Sequence, residues 1–225
     1  MADTADVKLF SNTTRRVIAT AAMVAIAGVA ALLQWLGVPA VQILSVLVAT
    51  GMIVELVICL RNTPRDIMWR HALSFLIFAA LLVLLVFAAY HVGARPWVIL
   101  RLLLIIGAAD IGAWFFGRAF GGDKMWERIS ANKTWSGQIA GIACGAVVAI
   151  LYGMAVRGTF AASASQVWVG ISIALLSQYG DLTASWIKRN MGIKDFGRII
   201  PGHGGLLDRF DGWIYVLPLV WLVML

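Results

Sequence analysis

Long apolar runs alternate with short polar segments along most of this chain, and this pattern predicts a bundle of membrane-spanning helices. A helix needs about 20 residues to cross the hydrocarbon core of a bilayer. Because most of the runs come near that length, we predict an all-α integral membrane protein, a polytopic bundle of about seven transmembrane helices. The last run is short. The runs cover residues 17–37, 39–60, 72–92, 96–117, 136–156, 165–187 and 212–225.

The composition agrees with a membrane protein. Hydrophobic residues make up 61% of the 225 residues and charged residues 13%, with a mean hydropathy of +0.89. A soluble protein could not leave so much apolar surface in water. No internal repeat or linker is visible, which favours a single membrane domain over residues 1–225. Cys59 and Cys144 lie inside apolar runs, so neither a disulfide nor a cysteine-based metal site is supported.

The lysine and arginine residues predict the orientation of the chain, because translocated loops carry few of them. Most of the 18 lie in the N-terminal segment and in the second, fourth and sixth loops. We therefore expect a cytoplasmic N-terminal segment at residues 1–16, and an active site that faces the cytoplasm from the inner (plasma) membrane. The net charge of +7 would attract anionic headgroups and nucleotide phosphates. Nucleic acid is a poor partner, since no soluble domain is available to present this charge.

Three carboxylates interrupt the predicted spans: Glu55, Asp110 and Asp181. An ionised carboxylate in lipid is expensive without a partner, a metal or water. For Glu55 we favour a place near the interface and a neighbouring arginine as its partner. Asp110 and Asp181 lead into predicted cytoplasmic loops at 118–135 and 188–211, so we expect them to line a cavity that opens to the cytoplasm. A salt-bridged polar stripe within a helix bundle would give the same pattern.

The segment from Gly180 to Trp213 holds four aspartates, five cations, one histidine and seven glycines. Carboxylates hold divalent cations, lysine and arginine bind phosphate oxygens, and glycines let backbone N–H groups approach an anion. The segment therefore predicts phosphate and metal chemistry in a catalytic half that covers residues 110–212. Helical spacing would place two polar sets on shared faces: Asp181, Ser185 and Lys188, and, if that part is helical, Asp208 and Asp211.

Three motifs together resemble one known family. From Ser185 to Asp211 the chain reads SWIKRNMGIKDFGRIIPGHGGLLDRFD, similar to S-x-x-KR-x4-KD-x-G-x3-PGHGG-x-xDR-x-D, the signature of the phosphatidate cytidylyltransferases, or CDP-diacylglycerol synthases. DIGAWFFGRAFG at 110–121 and SANKTWSG at 130–137 resemble the family's D-x-(A/G)-(Y/W)-x-x-G-(R/K) and SP(N/K)KTWEG elements. Ala131 and Ser136 stand where many members have proline and glutamate, and both positions bear on loop geometry.

The resemblance implies that CMP is transferred from CTP to phosphatidic acid, giving CDP-diacylglycerol and pyrophosphate in phospholipid biosynthesis. It also implies dependence on Mg²⁺, with room for a second cation. The partners would be CTP, phosphatidic acid and membrane lipid, and a homodimer is left open. The implied metal ligands are Asp181, Asp208 and Asp211. The implied phosphate-binding catalytic residues are Lys188, Arg189, Lys194, His203 and Arg209, with a turn-stabilising role for His203 as the alternative. The implied substrate-binding residues are Asp110, Arg118, Asn132, Lys133, Thr134 and Ser185.

Other function classes stay open at this point. CTP could activate or phosphorylate another lipid, such as a polyprenol or an archaeal-type lipid, because the pocket residues that would decide this are not identifiable from one sequence. A cation-coupled transporter needs polar residues near both faces of the bilayer, whereas the acidic residues here lie on or near the predicted cytoplasmic side. A catalytically inactive homologue is disfavoured, since every charged position of the signature is present.

Overall fold

The computed structural model describes residues 3–157, 164–201 and 204–225, except for the side chains of residues 3–13, 15, 16 and 131. Helices account for most of these ranges because long apolar segments satisfy their own backbone hydrogen bonds in this form. The helices are α1 (Asp3–Trp35), α2 (Ala40–Asn62), α3 (Arg65–Arg70), α4 (Ala72–Gly93), α5 (Pro96–Phe120), α6 (Trp135–Arg157), α7 (Ala164–Asn190) and α8 (Trp213–Met224).

The predicted apolar runs correspond to α1, α2, α4, α5, α6, α7 and α8. Five of these, α1 from Val17 onward, α2, α4, α5 and α6 up to Val156, are long and apolar enough to cross a membrane. Helix α7 has 27 residues but is more polar, and α8 has only 12 residues. The chain is therefore an all-α, multi-pass membrane protein, and the number of spans stays a prediction.

The two predicted loops are shorter than expected, because the helices before them continue. Helix α5 runs to Phe120 and α7 runs to Asn190. The first loop also contains an antiparallel ribbon that the sequence pattern did not predict, formed by β1 (Lys124–Trp126) and β2 (Ser130–Thr134). Gly121 and Gly122, with φ values of 60° and 101°, turn the chain from α5 toward this ribbon, in a conformation that glycine adopts at little cost.

The chain divides into two compact units. The first unit consists of Met1–Pro96 together with Asn190–Phe210, a segment that we call the signature loop. Its α2 packs mainly against α4, around fully buried side chains such as Met52, Leu56 and Phe78. The second unit consists of Trp97–Arg189 together with Asp211–Leu225. That the whole chain forms a single membrane domain stays a prediction.

Close helix packing in the second unit depends on small residues. A Cβ atom at Gly170 of α7 would lie 2.6 Å from the backbone Cα of Ala146 in α6 and 3.0 Å from the carbonyl oxygen of Gly145. A Cβ at Gly145 would in turn lie 2.9 Å from the Cβ of Ala174. Backbone atoms cannot move aside as a flexible side chain can, so α6 and α7 can approach this closely only at glycine.

We predict that Gly170→Ala lowers the thermal stability of the detergent-solubilised protein, because overpacking a close contact costs about 1–3 kcal/mol. The matched control is Gly107→Ala in α5, where an added Cβ would meet nothing within 4 Å. That control should keep or raise the melting temperature, since alanine favours a helix over glycine by about 1 kcal/mol. Equal melting temperatures for the two variants would contradict the packing described for α6 and α7.

Candidate active site

An ion pair joins the ribbon to α7 in the second unit. The Nζ of Lys133, near the end of β2, lies 2.5 Å from Oδ2 of Asp181. The two side chains keep 23% and 39% of their surface exposed. A partly exposed ion pair is worth only about 1 kcal/mol or less. The pair is therefore accessible to a charged ligand and can be rearranged by one at little cost.

The polar stripe predicted on α7 is present at Asp181 and Ser185. The Ser185 hydroxyl donates a hydrogen bond of 3.3 Å to Oδ1 of Asp181, as a spacing of four residues in a helix allows. Lys188 lies one turn further along α7 and is buried. Arg189 follows, and its Nε donates to the carbonyl oxygen of Ile129 at 3.4 Å, which ties the end of α7 to the turn of the ribbon.

Two more carboxylates lie within electrostatic reach of Asp181 in this unit. Asp211 precedes α8 and is partly buried. Burial, followed by the negative charge of Asp181, raises the pKa of Asp211 well above its ordinary value, although Lys188, a hydrogen bond from Gly212 N–H and Lys133 act in the opposite direction. Asp110 of α5 also interacts with the charges of Asp181 and Lys133. Side chains from four separate segments therefore form one charged cluster.

The junction between the ribbon and α6 is held by hydroxyl groups. Oγ1 of Thr134 accepts the backbone N–H of Gly137 at 3.2 Å, as an N-cap side chain does. The Ser136 hydroxyl donates to the carbonyl oxygen of Gly121. Ser136, which departs from the family pattern, thus connects the turn after α5 to the start of α6. The hydroxyl of Thr134 has a local structural contact, and its role in substrate binding stays a prediction.

Asp208 lies in the signature loop of the first unit. Its Oδ2 accepts the backbone N–H groups of Phe196 at 2.9 Å and Gly205 at 3.0 Å. Residues 206–212 form turns and bends and no helix, so the expectation that Asp208 and Asp211 share a helical face is wrong. The glycines and these side-chain contacts favour a compact turn at this point.

The remaining predicted residues that the structure describes lie at exposed positions. Lys194 and Arg209 are exposed in the first unit, and Asn132 is exposed in the second. The guanidinium of Arg118 lies over the ring of Trp114, 4.7 Å from its centroid, in a cation–π arrangement. His203 lies outside the described residues.

Glu55 shows the clearest departure from the sequence-based interpretation. It is 2% exposed, and its expected place near the membrane interface stays a prediction. Its carboxylate accepts the backbone N–H groups of Leu206 at 2.9 Å and Leu207 at 2.8 Å, whereas the sequence predicts an arginine partner. The signal in the sequence was a glutamate inside an apolar run, but that signal does not reveal partners elsewhere in the chain.

Two carboxylates of the second unit are the candidates for the predicted magnesium site. Among the residues that the structure describes, no group of three or more His, Cys, Asp or Glu side chains is arranged to hold a metal. Magnesium, however, is usually bound by only one or two carboxylates together with water and substrate phosphates. The charges of Asp181 and Asp211 interact, which favours this role, and magnesium binding by these two residues stays a prediction. That Asp208 also binds the metal stays a prediction.

A match to a protein family extends over almost the whole chain. The family described as the cytidylyltransferase family matches residues 5–225. A phosphatidate cytidylyltransferase of Staphylococcus aureus (strain COL) is 44% identical over 128 residues, which cover 54% of this chain and 46% of that protein. One from Brucella suis biovar 1 (strain 1330) is 43% identical over 128 residues, covering 55% and 45%. The chain spans about half the length of these relatives.

We predict that Asp211→Asn raises the stability of the solubilised protein by an amount that grows with pH. Because the pKa of Asp211 is raised in the folded state, the folded protein holds a proton that the unfolded chain releases above about pH 4. Stability from this group is therefore present at lower pH and is lost as pH rises toward the folded-state pKa. Asparagine does not titrate, so the variant lacks this pH dependence of stability.

The measurement is the melting temperature of both proteins from pH 4 upward, with EDTA present to remove divalent cations. Asp123→Asn, at an exposed position of the same unit, is the control and should follow the wild-type profile. Parallel profiles for Asp211→Asn and wild type would show that the carboxyl group of Asp211 is not held in its protonated form.

Proposed function

This chain belongs to the cytidylyltransferase family, and we propose on that basis that it transfers CMP from CTP to phosphatidic acid, giving CDP-diacylglycerol and pyrophosphate. The observation that carries the proposal is the partly exposed Lys133–Asp181 pair, with Asp110 and Asp211 within reach of its charges. Such a cluster can bind both a metal cation and a polyphosphate. The choice of phosphatidic acid is supported by the names of the relatives, which are phosphatidate cytidylyltransferases.

The chemistry needs charge neutralisation more than it needs a base. A phosphate oxygen of phosphatidic acid is already anionic at neutral pH and attacks the α-phosphorus of CTP. A new P–O bond forms there, the bond to the bridging oxygen breaks, and pyrophosphate leaves with the electron pair. The barrier is the approach of two anions, which fixed positive charges lower by neutralising them and holding them in line.

Lys133 is proposed to bind the triphosphate. Its ammonium group is partly exposed and is paired with Asp181, so it can exchange that carboxylate for phosphate oxygens. Asp181 and Asp211 would then hold Mg²⁺, which when bound neutralises phosphate charge. The contact between Arg189 and Ile129 keeps the ribbon beside α7, so that Lys133 stays within reach of Asp181 after the exchange.

The signature loop and the ribbon are proposed to supply the other phosphate and nucleotide contacts. Lys194 and Arg209 are exposed and carry charges suited to phosphate oxygens. Asn132 is proposed to contact the nucleotide, and His203 to donate a hydrogen bond to pyrophosphate. The concentration of Lys and Arg in alternate loops supports an active site on the cytoplasmic side of the inner membrane.

The direct test uses purified protein with phosphatidic acid, Mg²⁺ and CTP labelled in its cytidine. We expect the label to enter the lipid fraction, EDTA to stop the reaction and added Mg²⁺ to restore it. Asp181→Asn should lower turnover by about a hundredfold or more, because a charge that binds the metal is lost, whereas Asp123→Asn should not. Label recovered only as soluble CDP would show CTP-dependent phosphorylation of a lipid and would refute nucleotidyl transfer.

A second prediction concerns two lysines of the ribbon. Lys133→Ala should raise the apparent KM for CTP by about 10-fold to 100-fold, the range expected for one lost charge-assisted hydrogen bond. Lys124→Ala is the matched control, because Lys124 is an exposed lysine of the paired strand. It should change KM by no more than about twofold. An equal effect of both substitutions would remove Lys133 from the nucleotide site.

A further inference from the structure

Glu55 is a buried acidic residue for which the proposed chemistry has no use. It lies within α2, in an apolar run, and is 2% exposed. Burying a carboxylate is costly unless hydrogen bonds replace those it made with water. The hydrogen-bond partners of Glu55 therefore indicate its role in the protein.

Both oxygens of Glu55 bind the signature loop. Oε1 accepts the N–H of Leu206 and Oε2 accepts the N–H of Leu207. These two residues immediately precede Asp208 and Arg209, for which metal and phosphate binding are predicted. One side chain of α2 thus fixes the backbone from which both predicted site residues extend.

Two glycines of the loop leave room for the carboxylate. A Cβ atom at Gly205 would collide with both oxygens of Glu55, and one at Gly197 would collide with Oε1. Neither glycine has a positive φ, so the backbone conformation would accept other residues there. The carboxylate of Glu55 itself is what excludes a side chain at these two positions.

A second residue of α2 also binds the same loop. Cys59, one turn after Glu55, donates its S–H to the carbonyl oxygen of Phe196 at 2.9 Å. The N–H of Phe196 in turn donates to Asp208. The ring of Phe196 stacks on Phe78 of α4, with 6.2 Å between centroids. The loop is therefore held by α2 at two places and packed against α4.

We propose that Glu55 is a positioning residue for the reaction: its carboxylate holds the backbone of Leu206 and Leu207 so that Asp208 and Arg209 keep the directions that phosphate chemistry requires. The catalytic part of this inference rests on the proposed function. The hydrogen bonds between Glu55 and the loop are independent of the proposed function.

The first test compares Glu55→Gln and Glu55→Ala with wild type, using turnover per folded molecule. Glutamine keeps the shape of the side chain but retains one acceptor and no charge. We expect Glu55→Gln to lower kcat by about tenfold, as the loss of one hydrogen bond to a charged group predicts, and Glu55→Ala to lower it further. The KM for CTP should change by no more than about twofold, because Lys133 is unaltered.

Gln42→Ala is the matched control on the same helix. Its Nε2 donates to the carbonyl oxygen of Tyr90 in α4 at 2.9 Å, so the substitution removes an interhelical hydrogen bond that does not involve the loop. Its kcat should stay within about twofold of wild type. If the Glu55 variants lose thermal stability but keep wild-type kcat per folded molecule, Glu55 has only a structural role and the inference is wrong.

The second test is a double-mutant cycle with Gly205→Ala. Alone, this substitution should lower kcat by about tenfold or more, because the new methyl group displaces the carboxylate. In a Glu55→Ala background the space is empty, so Gly205→Ala should add less than about a twofold further loss. Independent, multiplicative losses would overturn the inference.

Hydrogen exchange provides a test that does not depend on turnover. In Glu55→Ala, a peptide that contains Leu206 and Leu207 should exchange its amide hydrogens about tenfold faster or more, since both lose their acceptor. A peptide from α5 should be unchanged. If wild type transfers no CMP, the proposed function fails while this measurement still tests the hydrogen bonds. Unchanged exchange at 206 and 207 would overturn the inference whatever the activity.

Discussion

A carboxylate buried in an apolar chain must be paired, and the pairings found here connect segments that are far apart in the sequence. Glu55 binds backbone N–H groups 151 and 152 residues away, and Asp181 binds the ammonium group of Lys133. The partly exposed Lys133–Asp181 pair contributes about 1 kcal/mol or less, whereas leaving the buried carboxylate of Glu55 without hydrogen bonds would cost about 1–3 kcal/mol or more. Because of this cost, packing arrangements of the apolar helices are favoured when they bring the polar segments to their carboxylates.

Four acidic residues of the two units divide into two kinds by the partners they have. Glu55 and Asp208 accept backbone hydrogen bonds and give the signature loop its shape. Asp181 is paired with Lys133, and Asp211 interacts with the charges of Asp181, Lys188 and Lys133. Only the second arrangement leaves an electrostatic conflict that a divalent cation would relieve. For this reason Asp181 and Asp211 are the better candidates for the metal, and Asp208 has a structural role whether or not it also binds one.

The helices could be predicted from the sequence because apolar runs of sufficient length have few alternatives in a membrane. Their ends could not, and α7 continues through Lys188 and Arg189 to Asn190. The ribbon was missed because strands of three and five residues are too short to show an alternating pattern. The partners of Glu55 depend on tertiary structure, which one sequence does not contain. The sequence predicted which charged residue types the cluster contains. The four-residue spacing of Asp181 and Ser185 predicted their contact.

The central claim is that the carboxylates of the second unit bind a divalent cation together with the nucleotide. Its most direct measurement is the melting temperature of wild type and of the Asp181→Asn/Asp211→Asn double variant with increasing CTP, with and without Mg²⁺. A ligand that binds only the folded state raises this temperature as its concentration increases. We expect an increase in wild type that requires Mg²⁺, and none in the double variant. An equal, Mg²⁺-dependent increase in both proteins would contradict the account.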